Sequence, residues 1–275
     1  MKKKLAILLC LVMVFALAAC GGGGGGSTDG GGSEGGDAEY VIPDPLIAGA
    51  ETTYAPFEYA EGDEIVGFDV DLWKEIGNRL GVEAKHESFA WDGLISGLMS
   101  DKFNVIMSCM GITDARLEQI DFSIPYFYSS MGVAVNKNAG ITSLEECKGK
   151  IGGVQTGTTT ETWLQEHADE VGLADLIVYD TITDGIMDLQ AGRIECLFNE
   201  KPNLGFMLKD DAQCEVLTDT FGDKPVVGIG VSKNYPELTE AINKALLEIA
   251  ADGTYAQIYE KWFGVAPGPD EIPGA

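Results

Sequence analysis

From residue 40 onward, short apolar runs alternate with segments in which apolar residues recur every three or four positions. Continuous apolar runs of this length are typical of buried strands, and the longer spacing is typical of helices with one buried face. Strands are expected at 104–108, 151–155 and 194–198. Helices are expected at four apolar repeats: Val70, Trp73, Ile76 and Leu80; Leu94, Ile95, Leu98 and Met99; 183–191; and Leu238, Ile242, Ala245, Leu246 and Ile249. The alternation predicts layered α/β architecture.

Capping residues mark several predicted helix ends. Gly81 follows the first apolar repeat and Gly253 the last, where a left-handed glycine commonly ends a helix. Ser143 and Glu146 have the spacing of a capping box, which predicts a short helix leading into the strand at 151–155.

Two further runs, 131–135 and 226–232, are short, apolar and contain glycine, and each separates longer α/β blocks. They suit a pair of strands that cross between two lobes. The alternative is that both are core strands of a single sheet, and periodicity alone does not decide between these interpretations.

The first 39 residues have a different composition. Lys2, Lys3 and Lys4 precede an apolar run at 5–19 that is too short for a spanning helix, which predicts a signal peptide over 1–19. Small residues before Cys20 resemble a bacterial lipobox, so residues 20–39 are expected to be a lipidated cysteine followed by a Gly/Ser-rich tether. The alternative is an ordinary secretory cleavage site with an incidental cysteine.

Charge and cysteine content exclude several classes of function. The chain has 44 acidic and 18 basic residues, a net charge of -26 that disfavours binding to nucleic acid. It has only two histidines and no CxxC pair, so neither a zinc site nor any other cofactor is expected. The four cysteines after Cys20 allow three disulfide pairings, and the sequence does not choose among them. Cys109 and Cys196 lie in apolar runs and are expected to be buried free thiols.

Aromatic and polar residues concentrate in the loops between 54 and 126, a combination that describes a pocket for a small, charged, amphiphilic molecule. The segments are 54–58 (YAPFE), 67–72 (GFDVDL), 91–95 (WDGLI), 112–116 (ITDAR) and 121–123 (DFS), with later ones at 141–144, 157–159, 252–255 and 261–264. In this order they resemble the bacterial extracellular solute-binding proteins of family 3, the substrate-binding lipoproteins of amino-acid ABC transporters. The resemblance covers about 46–264.

The resemblance implies the two-lobed periplasmic-binding-protein-like II fold, an α/β fold with two hinge crossovers. Lobe 1 would comprise 40–130 and 228–275, and lobe 2 would comprise 134–224. The lobes would close over a ligand about the hinge.

Arg116 is the strongest candidate for ligand binding. It follows Thr113, a good N-cap, and therefore lies in a first helical turn, where the helix dipole disfavours a positive charge. A solvated surface arginine is the alternative. The resemblance implies that Arg116 grips the ligand α-carboxylate, for which a planar guanidinium is well suited.

A second anion-binding group is expected on the opposite lobe, and aromatic cover is expected on the same lobe as Arg116. Thr158 and Thr159 lie at a helix start, where backbone N–H groups can face an anion, although plain N-capping is an alternative. Tyr54 and Trp91 match aromatic positions that cover the ligand in the family, although core packing is commoner for such residues. Gln155, at the end of its strand, completes this set.

Two acidic residues and two departures from the family pattern concern the ammonium group and the side chain of the ligand. The resemblance implies that Glu200 meets the ligand ammonium where many relatives carry aspartate, or else meets the ligand side chain; a solvated loop glutamate is the alternative. Glu51 stands where several relatives place an acid near the ligand side chain, so the resemblance favours a basic or polar ligand. Cys109 and Gly111 depart from the family pattern, and Gly111 lacks the hydroxyl that commonly helps to hold the amino group.

Together these observations predict a monomeric, membrane-tethered receptor that captures a small amino acid and delivers it to an ABC permease without performing chemistry. It would sit on the extracytoplasmic face of the cell membrane, anchored through Cys20. Two other classes stay open: a dehydratase-like enzyme on the same fold, because fold alone does not set function, and a sensory co-receptor. The identity of the amino acid is not readable from the sequence.

Overall fold

The computed structural model describes residues 40–274, so the expected signal peptide, Cys20 and the tether lie outside the described residues. The strands are β1 Leu46–Ala50, β2 Thr53–Tyr54, β3 Glu58–Glu61, β4 Glu64–Val66, β5 Ala84–Ser88, β6 Val105–Ile106, β7 Asp121–Phe122, β8 Phe127–Tyr128, β9 Met131–Asn136, β10 Ile151–Gln155, β11 Asp175–Tyr179, β12 Cys196–Glu200, β13 Cys214–Val216, β14 Val226–Val227 and β15 Gly230–Val231. The helices are α1 Phe68–Leu80, α2 Leu94–Met99, α3 Asp114–Leu117, α4 Thr159–Glu166, α5 Ala168–Val171, α6 Ile182–Gln190, α7 Lys201–Met207, α8 Pro236–Ala251 and α9 Thr254–Phe263.

A five-stranded sheet with the order β5-β1-β6-β15-β7 forms the centre of the first lobe. β1 pairs in parallel with both β5 and β6, whereas β15 runs antiparallel to β6 and β7. Helices α1, α2 and α8 cover the sheet. Because β1 and β6 are parallel, the loops that follow them open at the same edge of the sheet, and both loops reach the cleft described below.

A second five-stranded sheet has the order β11-β10-β12-β9-β13 and forms the centre of the second lobe. β10 is parallel to β11 and β12, and β9 is antiparallel to β12 and β13. Helices α4, α6 and α7 pack on this sheet. The carboxyl ends of β10 and β12 face the cleft, the usual position for a binding site in an α/β sheet.

The two sheets are connected through the short antiparallel pair β8 and β14. β8 leads directly into β9 of the second sheet, and β14 leads into β15 of the first. The two-lobed fold with two crossovers is therefore confirmed, and the single-sheet alternative is wrong. The two crossover strands, β8 and β14, do not coincide with the predicted runs. Run 131–135 belongs entirely to β9, which follows β8, whereas run 226–232 contains both β14 and β15.

The predicted first helix is confirmed, and Gly81 caps it in the left-handed conformation with φ 73°. Its first residue, Phe68, is fully buried in an aromatic cluster with Phe57, Phe127 and Phe263, whose rings lie 5.0–6.2 Å apart. This cluster packs the C-terminal helix α9 against the strand β8 that leads into the hinge. No helix within residues 40–274 is long and apolar enough to cross a membrane.

Three local predictions need correction. β12 extends to Glu200, two residues beyond the predicted end of the 194–198 strand, because the antiparallel partner β9 continues to pair with it through Met131. Ser143 forms no side-chain cap. The Glu146 carboxylate instead accepts hydrogen bonds from the backbone N–H and the hydroxyl of Thr142.

The predicted cap of the long C-terminal helix is the third correction. Helix α8 ends at Ala251 with Asp252 as its C-cap, one residue before the predicted glycine; Gly253 follows in the left-handed conformation, with φ 83°, and is also the N-cap of α9.

Candidate ligand-binding site

A cleft lined by residues of both lobes lies between them and encloses about 350 Å³ of space free of protein atoms, part of which is open to solvent. Its lining contains all ten residues that the sequence nominated: Glu51, Tyr54, Trp91, Cys109, Gly111, Arg116, Gln155, Thr158, Thr159 and Glu200. Sequence reasoning missed three other lining residues, Ser108, Thr160 and Asn199. Each of the three is a direct neighbour of a nominated residue, which is the signal that could have found them.

Arg116 enters the cavity from the short helix α3. The Thr113 hydroxyl caps this helix and accepts a hydrogen bond from the Arg116 backbone N–H at 3.3 Å. The guanidinium donates to the carbonyl of Gly111 at 2.6 Å and to the carbonyl of Gly157 at 3.0 Å, and it lies 5.4 Å from the ring centre of Trp91.

The Arg116 guanidinium carries a positive charge without an adjacent anion. Within residues 40–274 no carboxylate lies within 4.0 Å of it. Burial lowers the pKa of Arg116 to about 10, so the group stays charged at neutral pH but is poorly compensated. A partly desolvated cation held only by two carbonyl oxygens favours the binding of an anion.

The start of helix α4 faces the same cavity from the second lobe. Thr158 is the N-cap, and its hydroxyl accepts from the Glu161 N–H at 3.1 Å and donates to the Gln155 carbonyl at 2.9 Å. The N–H groups of Thr159 and Thr160 therefore belong to a first helical turn, which has no intrahelical acceptors. The Thr160 hydroxyl is also buried without a hydrogen-bond partner in the described part of the chain.

Glu200 supplies negative charge at the end of β12. Its Oε2 atom accepts hydrogen bonds from the Ser129 hydroxyl at 2.7 Å and from the Cys109 thiol at 3.3 Å, both neutral donors. Burial raises the pKa of Glu200 to about 7, although the two hydrogen bonds and the charge of Arg116 oppose that rise. The carboxyl group is thus poised to ionise fully when a cation is brought beside it.

Glu51 and Gln155 form a bridge between the lobes. The Gln155 amide donates to Glu51 Oε2 at 2.6 Å, and the Thr53 hydroxyl donates to Glu51 Oε1 at 2.7 Å. Burial raises the pKa of Glu51 above its ordinary value. A second bridge is formed by the Tyr54 hydroxyl, which donates to Asn199 Oδ1 at 3.2 Å. These contacts show a cleft in the closed state.

The two departures from the family pattern have clear positions. Cys109 is buried and its backbone has φ 45°, a left-handed conformation that is unusual for a residue other than glycine. Gly111 lies where the lobes meet: a Cβ atom there would be 3.0 Å from Thr159 Cγ2 and 3.6 Å from Arg116 Nη1. The absence of a side chain at 111 therefore leaves room for close contact between the lobes.

The ordered motifs, the two-lobed fold and the interlobe cavity agree with a comparison of the whole sequence. The model of the family described as bacterial extracellular solute-binding proteins, family 3, matches residues 46–265. The chain belongs to this family. It is 34% identical over 220 residues to ABC transporter arginine-binding protein 1 of Escherichia coli (strain K12), with 78% of this chain and 89% of that protein covered. It is 33% identical over 223 residues to the L-cystine-binding protein TcyJ of the same strain, with 80% and 82% covered.

A solved structure of an ancestral arginine-binding protein bound to arginine has 38% sequence identity and a TM-score of 0.74, covering 80% of this chain and 98% of that one. These likenesses span the whole described fold of this family 3 protein. The named ligands of the two curated relatives, arginine and cystine, differ in their side chains although the two identities are nearly equal. Overall similarity therefore does not select the ligand of this solute-binding protein.

Charge is distributed unevenly in the cavity of this family 3 protein. Arg116 and the start of α4 supply positive charge or partial positive charge, whereas Glu51 and Glu200 supply carboxyl groups. Arg116 and Glu200 interact electrostatically without forming a direct ion pair. The arrangement can bind a molecule that carries an anionic and a cationic group a few atoms apart.

Residues 40–274 contain neither a candidate metal site nor a histidine that lines the cavity. No cluster of three or more metal-ligating side chains occurs there. Neither His86 nor His167 lines the cavity. His86 is on β5, where burial lowers its pKa to about 4, and the ring of His167 stacks on Trp163 at 4.3 Å in the second lobe.

Proposed function

We propose that this protein is the substrate-binding component of an ABC importer, which captures a small amino acid between its lobes and delivers it to a membrane permease. One observation carries the proposal: among the described residues, the closed cleft holds a guanidinium without a carboxylate partner and, in the same cavity, a buried carboxyl group bound only by neutral donors. Each group gains its missing counter-charge from one end of a zwitterion. Family membership supports this function.

We propose the following residue roles, which the geometry supports. The ligand carboxylate binds between the Arg116 guanidinium and the first-turn N–H groups of Thr159 and Thr160. It replaces the two carbonyl contacts that now hold Arg116. The ammonium group lies beside Glu200, with the Gly111 backbone nearby. Tyr54 and Trp91 flank the aliphatic part of the ligand.

The ligand side chain points toward Glu51, which is the basis for proposing a polar or basic amino acid. The Glu51 carboxylate is buried and receives only the neutral donors Thr53 and Gln155. A cationic or hydrogen-bonding side chain would stabilise its charge, whereas a purely apolar side chain would not. The arginine bound by relatives fits this proposal.

A thermal-shift screen against the common amino acids, followed by calorimetry on the best ligand, tests the function. At a ligand concentration 100 times its dissociation constant, binding stabilises the folded protein by about 2.7 kcal/mol, which raises the melting temperature by several degrees. Amides and decarboxylated analogues of the same ligand serve as controls and are expected to give no shift. A screen without any stabilising amino acid contradicts the proposal.

We infer that the lobes, 40–130 with 228–275 and 134–224, open and close about the β8–β14 crossover. Without ligand, opening lets water reach the cationic and acidic groups of the cleft. Small-angle scattering is expected to show a smaller radius of gyration at ligand saturation than without ligand. The same profile in both conditions contradicts hinge closure.

We propose that binding involves no chemical conversion and that the protein acts as a monomer. The dehydratase-like and sensory alternatives make different predictions. An enzyme would consume its ligand, so nuclear magnetic resonance spectra of the ligand after long incubation with the protein are expected to show no new product. A sensory co-receptor would bind a receptor protein rather than a permease.

We propose that residues 1–19 are a signal peptide and that Cys20 is lipidated, which holds the protein at the extracytoplasmic face of the cell membrane. Membership of an extracellular family supports export. The Cys20→Ala variant, expressed in a bacterial host, is expected to move from the membrane to the soluble extracytoplasmic fraction. Equal membrane retention of the variant and the wild type contradicts the anchor.

A further inference from the structure

Two acidic residues from the sequence motifs have no part in the proposed ligand chemistry. Glu58 on β3 and Asp69 on α1 are fully buried behind the cavity wall and do not line the cavity. Neither carboxyl group has a Lys, Arg or His nitrogen within 4.0 Å in residues 40–274. No basic side chain in residues 40–274 therefore compensates a negative charge on Glu58 or Asp69.

In each of these carboxyl groups, one oxygen atom accepts hydrogen bonds and the other has no donor among the described residues. Asp69 Oδ2 accepts from the Cys109 N–H at 2.9 Å and from the Tyr126 hydroxyl at 2.7 Å. Glu58 Oε1 accepts from the Ser108 hydroxyl at 2.7 Å. The other two oxygens, Glu58 Oε2 and Asp69 Oδ1, are buried without a donor in the described structure. The two residues are neighbours, since the Asp69 N–H donates to the carbonyl of Phe57, the residue before Glu58, at 2.9 Å, and their hydrogen-bond partners Ser108 and Cys109 are adjacent in the chain.

Two ionised carboxylates in contact inside the protein repel each other and lose hydration, so one of them is expected to hold a proton. A single proton between the two leftover oxygens satisfies both, because a protonated carboxyl is a donor and a carboxylate is an acceptor. We propose that Glu58 and Asp69 form a buried proton-binding site in which Glu58 carries the proton and donates it to the Asp69 carboxylate.

The assignment of the proton to Glu58 rests on the neighbouring donors. Two donors stabilise the Asp69 anion, whereas one donor stabilises Glu58. Burial raises the pKa of Asp69 to about 6 and raises the pKa of Glu58 well above its ordinary value, with the charge of Asp69 adding to the rise at Glu58.

Within residues 40–274, no basic side chain is among the groups that interact with this pair. The titratable groups with which Glu58 and Asp69 interact are Glu51, Tyr54, Cys109, Tyr126, Glu200 and Tyr255. All of them are neutral or negative at neutral pH. The surroundings therefore strengthen the retention of one proton.

The proton site positions two residues of the cavity wall. The Ser108 hydroxyl donates to Glu58 and accepts from the Glu51 backbone N–H at 3.0 Å, and Asp69 fixes the N–H of Cys109, which has the left-handed φ. Glu58 and Asp69 are thus positioning residues for Ser108 and Cys109. This effect on ligand binding rests on the proposed function, whereas the proton site itself does not.

Infrared spectroscopy tests the proton directly. At pH 8 in D₂O, where Glu200 is mostly ionised, the wild-type protein is expected to show the carbonyl band of a buried protonated carboxyl. Glu58→Gln removes this band, because the amide takes over the donor role without a titratable proton. The matched control is Glu64→Gln, an exposed glutamate on the neighbouring strand β4, which keeps the band. A wild-type spectrum without the band overturns the proposal.

Unfolding as a function of pH provides the second readout. An unfolded glutamate has a pKa near 4.3, so above about pH 5 the folded protein holds one proton more than the unfolded chain. The unfolding equilibrium constant of the wild type therefore rises about tenfold per pH unit from this site as pH increases. Glu58→Gln is expected to reduce the pH slope by that amount, and Glu64→Gln to leave it unchanged. Equal slopes in wild type and Glu58→Gln overturn the proposal.

Ligand binding distinguishes positioning from stability alone. Glu58→Gln keeps both hydrogen bonds and is expected to bind the screened amino acid within threefold of wild type. Asp69→Asn places an amide donor against the Glu58 proton or the Cys109 N–H, so at least a tenfold loss of affinity is expected. If no amino acid binds even the wild type, the proposed function fails, while the infrared and unfolding results still decide whether the proton site exists.

Discussion

The two ends of the cavity are built in different ways. At the end proposed to bind the ligand carboxylate, Arg116 is placed by the Thr113 cap three residues earlier, and the start of α4 is set by Thr158. At the end proposed to bind the ammonium group, Glu200 is held by Ser129 and Cys109, which lie 71 and 91 residues away in the sequence. One end is local structure, whereas the other is made by the packing of separate elements.

The two ends of the cavity also differ in the ionisation of their charged groups. Arg116 stays ionised at neutral pH, because its lowered pKa of about 10 is still far above 7. Glu200, whose pKa is about 7 because it is buried, is about half protonated at neutral pH while the cleft is closed and empty. In the closed cleft the proposed carboxylate end is therefore already charged, whereas the proposed ammonium end would acquire its full charge beside the ligand.

The largest effect is expected at the carboxylate end. Arg116→Ala leaves the ligand carboxylate without its cation in a desolvated cleft, which is expected to weaken binding by about 2 to 5 kcal/mol, or about 30-fold or more. Arg116→Lys restores the charge without the planar fork and is expected to recover part of this loss. Titration calorimetry with the screened amino acid measures both.

A double-mutant cycle gives the control for this prediction. The carboxamide analogue of the ligand is expected to bind wild type poorly but to lose little more in Arg116→Ala, because both changes remove the same interaction. Affinity of Arg116→Ala within about twofold of wild type, roughly 0.4 kcal/mol, would place Arg116 outside the binding site.

The contrast between the ends explains how much of the site was predictable. The ten nominated residues could be found from the sequence because the family motifs contain positions that are close in the chain and positions that are far apart. The sequence could also place Thr113 and Thr158 as caps, since capping depends on neighbours three residues apart. The Glu51–Gln155 bridge, between residues 104 positions apart, and the bonds of Glu200 were not predictable, because they depend on how the closed lobes meet.

The second prediction concerns Glu200 and pH. Because ammonium binding requires the ionised carboxylate, affinity is expected to fall about tenfold per pH unit as pH decreases below 7. Above about pH 8 it levels off, since Glu200 is then already ionised in the empty protein. Calorimetry from pH 5.5 to 8.5 measures this dependence; over this range the ligand α-carboxyl stays ionised, and the α-amino group begins to lose its proton only at the upper end.

Glu200→Gln provides the matched control. It removes the charge but keeps an acceptor for Ser129 and Cys109, so affinity at pH 8 is expected to fall about tenfold or more, by the roughly 1.5 to 3 kcal/mol of a charge-assisted hydrogen bond. The remaining affinity is expected to vary much less with pH. A pH dependence equal to that of the wild type would assign the titration to another group, with Glu51 as the first candidate.

The fold was predictable to a similar extent. Strand β10 is a short apolar run and helix α1 has apolar residues at helical spacing, and both were found with bounds within two residues. The crossover was placed beside its true position, because β8 and β14 contain only two residues each and carry no periodic signal. The end of β12 was missed for the same physical reason as the bonds of Glu200: pairing with β9, not local sequence, extends it.

A smaller effect is expected where the two ends meet, at Gly111. In Gly111→Ala the new methyl group lies 3.0 Å from Thr159 Cγ2, so closure requires a small displacement of one lobe. Crowding of this kind costs about 1 kcal/mol, which corresponds to roughly fivefold weaker binding. Gly205→Ala on α7, where no atom lies near the added methyl group, is the control and is expected to bind normally. Equal affinities of the two variants would contradict close contact at Gly111.

The smallest effect is expected at Cys109, whose thiol is one of the two donors to Glu200. Cys109→Ser keeps a donor, so affinity is expected to stay within threefold of wild type, a difference of about 0.7 kcal/mol or less. Cys109→Ala removes the donor that helps to lower the pKa of Glu200, so the midpoint of the pH–affinity curve is expected to move to higher pH. Affinity at pH 8.5 then recovers, because Glu200 is ionised there in both variants. A loss in Cys109→Ala that is the same at every pH would show that the thiol contributes through packing and not through the ionisation of Glu200.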